Sequence, residues 1–226
     1  MTLLSLGPVE REGLVSYLGR VVALDDRAAV RLQARGTVAG VWSGPPFGVL
    51  ALRPVALLDP AEVDTTVSAQ RLLEALQGLA GTGSSGAGLP ASVLGPPWAA
   101  VLPPQGGWTL EAEVPVAVVN DQVGVAIGGF RRRVDLLPAD GRTPAALEAV
   151  AEALWRAPSV GPVPMRAAHA ASQLGFLGRD GLVSAYRSGG WVRLGCPGGS
   201  VLARLDEPGT LGGLGSFDVL GAFTPR

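Results

Sequence analysis

Few side chains in this sequence could act as nucleophiles, general bases or metal ligands. The chain has 226 residues with one histidine, His169, one cysteine, Cys196, and no lysine. A Ser–His–acid triad would have to use His169, with Ser172 or another serine, but the sequence contains no Gly-x-Ser-x-Gly elbow. A Walker loop and Schiff-base chemistry both require a lysine. The sequence therefore excludes most catalytic templates, and we interpret His169 as a structural histidine, either on the surface or hydrogen-bonded.

Metal and cofactor sites have equally little support. Structural zinc usually takes four Cys or His ligands, which one histidine and one cysteine cannot supply. Acidic residues cluster at 25–26 and 59–64, but neither cluster has the signature of a calcium loop. The glycine-rich stretches at 124–129 and 195–199 do not have dinucleotide-binding spacing between a strand and a helix. We expect no metal and no cofactor.

The charge composition argues against a general attraction to nucleic acid or to an anionic membrane. All 18 basic residues are arginines, and with 19 acidic residues the formal net charge is −1. The one cationic run, Arg131–Arg133, is typical of a solvated helix end, where cations lie near the last carbonyls. The first residues do not form a secretory signal, and no apolar run reaches the roughly 20 residues of a membrane span. We expect a cytoplasmic protein with no membrane segment.

Residues 1–80 predict an N-terminal unit in which an antiparallel sheet packs against helices. A proline and two glutamates open a segment with helical apolar spacing over roughly 9–24. Ser68 can cap a second helix that carries a stripe of leucines. Between the helices, short apolar runs separated by turn residues favour an antiparallel meander, at 29–33, 37–42 and 49–55.

Residues 81–107 form a connecting segment rich in glycine, proline and tryptophan. Its first part, 81–88, has the composition of a flexible linker. The following stretch contains Trp98 and leads to Trp108, and a simple linker rarely needs tryptophan. We expect this stretch to pack on a domain or to border a cleft.

Residues 108–226 predict a C-terminal helical unit with a three-stranded antiparallel meander, so the fold class is α+β. Residues 114–134 fit two patterns. Alternating valines around Asn120 and Asp121 indicate a hairpin, whereas a longer stripe at helical spacing, which includes Phe130 and Val134, favours a helix. Further helices are expected at 143–156 and 164–173, and strands at 182–186, 191–194 and 200–205. The glycine-rich tail after them is expected to be irregular.

The order of three helices followed by a hairpin with a Gly-Gly tip resembles a winged-helix module. In that family the third helix enters the major groove and the wing touches the DNA backbone. The resemblance places Arg166 and His169 on the third helix and Arg187 and Arg193 on the wing. However, the third helix is rich in alanine, and the unit lacks the strongly basic surface of a DNA-binding protein.

A second resemblance extends over most of the chain. Pro-Pro-Trp at 96–98, Pro-Pro-Gln-Gly-Gly-Trp at 103–108 and Gly-Gly-Trp-Val-Arg-Leu at 189–194 are similar to stretches in uncharacterised proteins of high-G+C Gram-positive bacteria. Arginine in every basic position and a single isoleucine, Ile127, fit a gene of high G+C content. The resemblance implies no activity, ligand or catalytic residue.

These observations favour a non-enzymatic protein that acts through association with a protein partner or with itself. Aromatic and arginine side chains dominate binding energy at interfaces, so Trp98, Trp108 and Trp191 are the candidate anchors. One alternative is a winged-helix-like DNA-binding regulator, and another is a small-molecule-binding domain or hydrolase that uses His169. The candidate binding residues are Trp98, Trp108, Arg166, His169, Arg187, Trp191 and Arg193.

Overall fold

A computed structural model of the chain describes residues 3–79, 85–138 and 141–205. The chain divides into two compact units. The first comprises Met1–Pro45 and Leu50–Pro103, and the second comprises Pro46–Val49 and Pro104–Arg226. The expectation for the glycine-rich tail concerns residues 206–226, which lie outside the described residues. No helix of the described residues is both long and apolar enough to span a bilayer.

The first helix of the first unit, α1 (Pro8–Leu24), begins with proline in its first turn and confirms the prediction for 9–24. It packs against α2 (Ala69–Gln77), which Ser68 caps by accepting a hydrogen bond from the Arg71 N–H at 3.4 Å. The two helices bury their apolar stripes against each other and the adjacent sheet. The buried side chains are Leu14, Tyr17, Leu18, Val21, Leu72, Leu73 and Leu76.

Between these helices, β2 (Ala29–Ser43) and β3 (Leu50–Ser68) form a long antiparallel pair. The predicted strands at 29–33 and 37–42 are one continuous strand, because Gly36 adopts a positive φ of 66° where the register shifts. Only glycine takes this conformation readily, so it carries the bulge without ending the strand. A shorter antiparallel pair is formed by β1 (Leu3–Ser5) and β4 (Gly86–Gly88).

The strand β3 extends well beyond the predicted 49–55. Its second half contains Asp59, Pro60, Glu62 and Asp64, which lie outside every strand that the sequence predicted. Nearly all side chains in this half are exposed or half-buried, and the backbone is ordered by pairing with β2 rather than by burial. Arg31 on β2 binds Asp64 across the pair, with Nε and Oδ1 at 2.8 Å.

Among its described residues, the second unit has four antiparallel strands that pair side by side, three helices and a short strand pair. Its elements are β5 (Thr109–Pro115), α3 (Val116–Leu136), α4 (Pro144–Trp155), β6 (Pro158–Val160), β7 (Val163–Pro164), α5 (Met165–Gln173), β8 (Leu182–Ser188), β9 (Trp191–Cys196) and β10 (Gly199–Arg204). Within this unit the strand order is β10-β9-β8-β5. The α+β fold class and the three-stranded meander β8-β9-β10 are confirmed.

The two readings of residues 114–134 are resolved by α3. Most residues of the helical stripe are buried along one side of it, including Val119, Val123 and Phe130, so the helix is confirmed and the hairpin is wrong. The strand β5 was not predicted. It occupies the residues just before α3 and pairs with β8, which follows it by about seventy residues.

The two units repeat one arrangement, in which a short helix follows directly after the second strand of a hairpin. In the first unit, the N–H of Ala69, the first residue of α2, donates to the carbonyl of Ala28, which precedes β2, at 2.9 Å. In the second unit, the N–H of Met165, the first residue of α5, donates to the carbonyl of Ala157, which precedes β6, at 2.7 Å. The same backbone bond therefore anchors both short helices.

Candidate interaction surface

His169 lies in the core of the second unit. Its side chain is 2% exposed. The imidazole stacks on the ring of Trp155, with 4.8 Å between the ring centroids, and packs edge-to-face against the ring of Phe47, with 5.1 Å between the centroids. Burial lowers the pKa of His169 from 6.5 to about 4, because the charged imidazole cannot be solvated there. The ring is therefore neutral at pH 7 and acts as a packing element.

The single thiol of the chain, that of Cys196, is half-buried. Burial raises the pKa of Cys196 to about 12, so the thiol stays protonated at neutral pH and is a poor nucleophile. Within the described ranges, no three His, Cys, Asp or Glu side chains come together as a potential metal site.

Trp98 belongs to the first unit and lies on a short 3-10 helix, Pro97–Ala100. Its indole covers Gly44: a Cβ at that position would lie 2.6 Å from Nε1 of Trp98. The guanidinium of Arg31 also donates to the carbonyl of Ala99 in the same helix. Trp98 is therefore half-buried and fixes the proline-rich segment to the end of β2, as a packing residue within its own unit.

The sheet of the second unit has one buried face and one outward face. The buried side chains alternate along the strands and meet α3 and α5; they are Val183, Ala185, Val192, Leu194, Val201 and Ala203. The side chains between them point the other way. We call the members of this second set that are not buried the outer face: Leu110, Tyr186, Trp191, Arg193 and Arg204, with Trp108 stacked on Arg193. Leu202, directly opposite Arg193, points the same way but is buried.

A cation–π stack lies at the centre of the outer face. The guanidinium carbon of Arg193 lies 4.9 Å from the ring centroid of Trp108 and 4.3 Å from that of Tyr186. Nε of Arg193 is buried and has no hydrogen-bond partner in the part of the chain that the structure describes. The rings are therefore its main partners there, and each contact contributes about 0.5–2 kcal/mol depending on desolvation. The indole Nε1–H of Trp108 donates to the carbonyl of Pro104 at 3.1 Å, which fixes the ring.

A second aromatic–arginine pair lies at the end of β9 and β10. The guanidinium of Arg204 lies 5.4 Å from the ring centroid of Trp191, and the two residues are directly opposite each other in the sheet. Nη2 of Arg166, on α5, donates to the carbonyl of Arg204 at 3.3 Å. This hydrogen bond ties α5, which packs on the buried face, to the end of β10.

The acidic side chains near the surface are on β5 and are already engaged. Oε1 of Glu111 lies 3.5 Å from Nε of Arg187, and Oε2 of Glu113 accepts a hydrogen bond from the Ser184 hydroxyl at 2.8 Å. Beside them Leu110, directly opposite Tyr186, is 54% exposed. The outer face thus offers aromatic rings, an exposed leucine and guanidinium groups on rigid strands.

The structure brings some of the candidate residues together and separates others. Trp108, Trp191 and Arg193 share the outer face. Arg166 lies on α5, which packs on the buried face, and reaches only the backbone carbonyl of Arg204. Arg187 follows Tyr186 on β8 and forms an ion pair with Glu111. His169 lies in the core of the same unit, and Trp98 belongs to the first unit.

Sequence reasoning missed Tyr186, Leu110 and Arg204. The position of Tyr186 could have been predicted from the sequence. A hairpin with Gly189-Gly190 at its tip pairs Ser188 with Trp191, and the same register places Tyr186 opposite Arg193. Leu110 had none, because β5 itself was not predicted.

Comparison with solved structures identifies the architecture. A DnaN sliding clamp (DNA polymerase III subunit beta) from Bartonella birtlesii matches with a TM-score of 0.56 at 12% identity, over 90% of this chain and 65% of that one. The DNA polymerase III subunit beta of Borrelia burgdorferi matches with a TM-score of 0.55 at 7% identity, over 100% of this chain and 68% of that one. The fold is that of a DNA polymerase sliding clamp.

The sliding clamp from Caulobacter crescentus gives the same result, with a TM-score of 0.53 at 15% identity, over 100% of this chain and 69% of that one. The chain thus spans about two thirds of the length of these clamps, and slightly less than two thirds for the Bartonella protein. Residues 1–100 match the model of a domain of unknown function, DUF8010, and residues 103–208 match that of another, DUF8185. The two matches meet where the first unit ends, at Pro103. No curated protein matches the chain in sequence.

Proposed function

We propose that this clamp-like protein acts without catalysis, by association with a protein partner or with another copy of itself through the outer face. The observation that carries this proposal is the stack of Arg193 between Trp108 and Tyr186. Tryptophan, tyrosine and arginine are the side chains that most often dominate interface energies. Tyr186 and Arg193 are held on paired strands, and the ring of Trp108 is fixed by its hydrogen bond to Pro104, so little conformational entropy is lost when a partner binds.

The names of the similar structures are consistent with this proposal. They are described as sliding clamps or as the beta subunit of DNA polymerase III, that is, as components of a larger machine. At 7–15% identity the likeness concerns the fold. The proposal for this chain therefore rests on its own side chains.

Two observations favour association over the alternatives. DNA reading through α5 requires an exposed helix face, but every residue of α5 is buried or half-buried. A hydrolase that uses His169 requires an accessible base, whereas this imidazole is enclosed by Trp155 and Phe47 and has a lowered pKa.

The proposal is tested by measuring self-association in sedimentation experiments over a concentration series, and partner capture with the purified full chain as bait. Trp191→Ala and Arg193→Ala are each expected to weaken the association at least tenfold, because hot-spot truncation costs more than about 1.4 kcal/mol. Leu94→Ala is the control, since Leu94 is a fully exposed apolar residue of the first unit.

Equal association by all three variants would refute the role of the outer face. Salt-dependent binding of a DNA duplex that Arg166→Ala weakens would instead support the DNA-binding alternative.

A further inference from the structure

Aromatic rings cover the guanidinium of Arg193, while its N–H groups have no acceptor. The guanidinium carbon lies over the rings of Trp108 and Tyr186, so the rings contact the flat face of the group. The N–H groups of arginine point outward in the plane of the guanidinium. Within the described ranges none of them donates a hydrogen bond, and Nε is buried. The group therefore presents an unused donor edge, held in place by two rings.

A second guanidinium on the outer face is placed in the same way. Arg204 stacks on Trp191, and its side chain forms no ion pair with the part of the chain that the structure describes. Trp191 lies directly opposite Arg204 and two positions before Arg193 on β9, so the two arginines are diagonal neighbours in the pair of β9 and β10. Diagonal neighbours lie about 7–8 Å apart, so one ligand can reach both guanidinium groups.

The carboxylates beside the outer face lie at its opposite side, on β5. Glu113 accepts a hydrogen bond from the Ser184 hydroxyl, and Glu111 forms an ion pair with Arg187. The strand order β10-β9-β8-β5 separates them from the two arginines on β9 and β10. A polyanion that crossed the sheet would be attracted at one side and repelled at the other, whereas a segment with one localised negative charge would meet only the cationic side.

The apolar part of the outer face lies a fixed distance from this cationic side. Leu110, on β5, is 54% exposed and lies directly opposite Tyr186. Adjacent strands are about 4.8 Å apart, so Leu110 is roughly 10 Å from Arg193 across two strand spacings. An extended peptide advances about 3.3 Å per residue, so an apolar side chain roughly three residues from a carboxylate can reach Leu110.

We propose that the outer face binds a peptide segment of the protein partner through a carboxylate, which accepts paired hydrogen bonds from Arg193 and is attracted by Arg204. An aromatic or aliphatic side chain of the same segment packs on Leu110 and Tyr186. This inference rests on the proposed function, since it names the chemistry of the partner at the same surface. A carboxylate fits because its two oxygens match two parallel N–H groups of a guanidinium.

The test is a selection of random peptides displayed on phage, with the immobilised full chain as the target. We expect the enriched peptides to share an aspartate or glutamate with an aromatic or aliphatic residue about three positions away. A synthetic copy is then titrated into the full chain labelled with 5-fluorotryptophan and followed by 19F NMR. The resonances of Trp108 and Trp191, assigned by single Trp→Phe variants, should shift. Those of Trp98, in the first unit, and of Trp155, beside His169, should not shift.

Arg193→Gln identifies the group that binds the carboxylate. It should weaken binding of the synthetic peptide at least about tenfold, because hydrogen bonds to a charged group are lost. Replacing the acidic residue of the peptide by its amide should have a similar effect, and the two changes together should weaken binding no more than either alone. Arg35→Gln is the matched control, since Arg35 is an exposed arginine of the first unit, and it should leave binding unchanged. Unchanged Trp98 and Trp155 resonances in Arg193→Gln report that both units stay folded.

The possible outcomes separate this proposal from the proposed function. Failure to enrich acidic peptides, or equal binding of the peptide by Arg193→Gln, would overturn the carboxylate proposal. If the enriched peptides still shift Trp108 and Trp191 and bind more weakly to Trp191→Ala, the proposed function stands without it. If acidic peptides bind but shift neither resonance, and Trp191→Ala binds them equally, the outer face is not the binding surface and both proposals are wrong.

Other occupants of the outer face would give different results. Inorganic phosphate or a DNA duplex that shifts Trp108 and Trp191 as far as the peptide does would place a phosphate on Arg193 and overturn the choice of a carboxylate. Shifts of these resonances that depend on protein concentration in the absence of peptide would place a second copy of the chain there, and would overturn the choice of a separate partner.

Discussion

Acid stability should report directly on the buried histidine. His169 has a pKa of about 4 in the folded chain against 6.5 for an unperturbed imidazole. Between these values the unfolded chain binds a proton that the folded chain does not, so the free energy of unfolding rises with pH in this window. Stability is fully retained above pH 6.5 and is lost progressively as the pH falls towards 4.

The magnitude follows from the difference between the two pKa values. Each pKa unit corresponds to 1.36 kcal/mol, so the shift of His169 predicts a loss of roughly 3 kcal/mol between pH 7 and pH 4. This is a large part of the 5–15 kcal/mol that is typical of folded proteins. The cause is the enclosure by Trp155 and Phe47, which provides no solvation for a positive charge.

The assay is urea unfolding at a series of pH values for the wild-type chain and for His169→Gln, which has a similar volume and no titrating ring. Carboxylates titrate in both proteins, so the difference between the two pH profiles isolates the histidine. The variant is expected to lose about 3 kcal/mol less than the wild type between pH 7 and pH 4. Since His169 is the only histidine, its pKa can also be measured by NMR without assignment. Parallel pH profiles, or a measured pKa near 6.5, would refute the reasoning.

Three further substitutions test the packing described above. Arg193→Met keeps the aliphatic part of the side chain but removes the guanidinium from the ring of Trp108. We expect it to lower the free energy of unfolding by about 1–2 kcal/mol in urea titrations. In a double-mutant cycle with Trp108→Leu, additive changes in the free energy of unfolding would contradict direct coupling. Gly44→Ala places a Cβ 2.6 Å from the indole of Trp98. We expect this substitution to lower the free energy of unfolding by about 1–3 kcal/mol and to change the fluorescence of that tryptophan. An unchanged fluorescence spectrum would argue against the contact. Ser68→Ala removes the cap of α2 and should cost about 1 kcal/mol, whereas Ser68→Asp should retain most of the stability in the same denaturation experiment.

The local signals in the sequence were sufficient for most helices and for the meander. The helix α1, the Ser68 cap of α2 and the stripe of α3 depend on residues a few positions apart, and each was recognisable from spacing and end residues. The strand β5 and the second half of β3 were not recognisable, because their polar, exposed residues acquire strand structure only by pairing with β8 and β2.

For the interaction surface, too, the sequence determined some features and the tertiary structure decided the others. The sequence by itself determined that this chain has no lysine and a single histidine, and that arginine and tryptophan are the available anchors. Only the tertiary structure decided that Arg193 lies between Trp108 and Tyr186, that Trp98 packs within the other unit and that His169 is enclosed. The reason is physical: composition and short-range spacing are properties of neighbouring residues, whereas burial and stacking arise when sheet pairing brings together residues distant in the sequence.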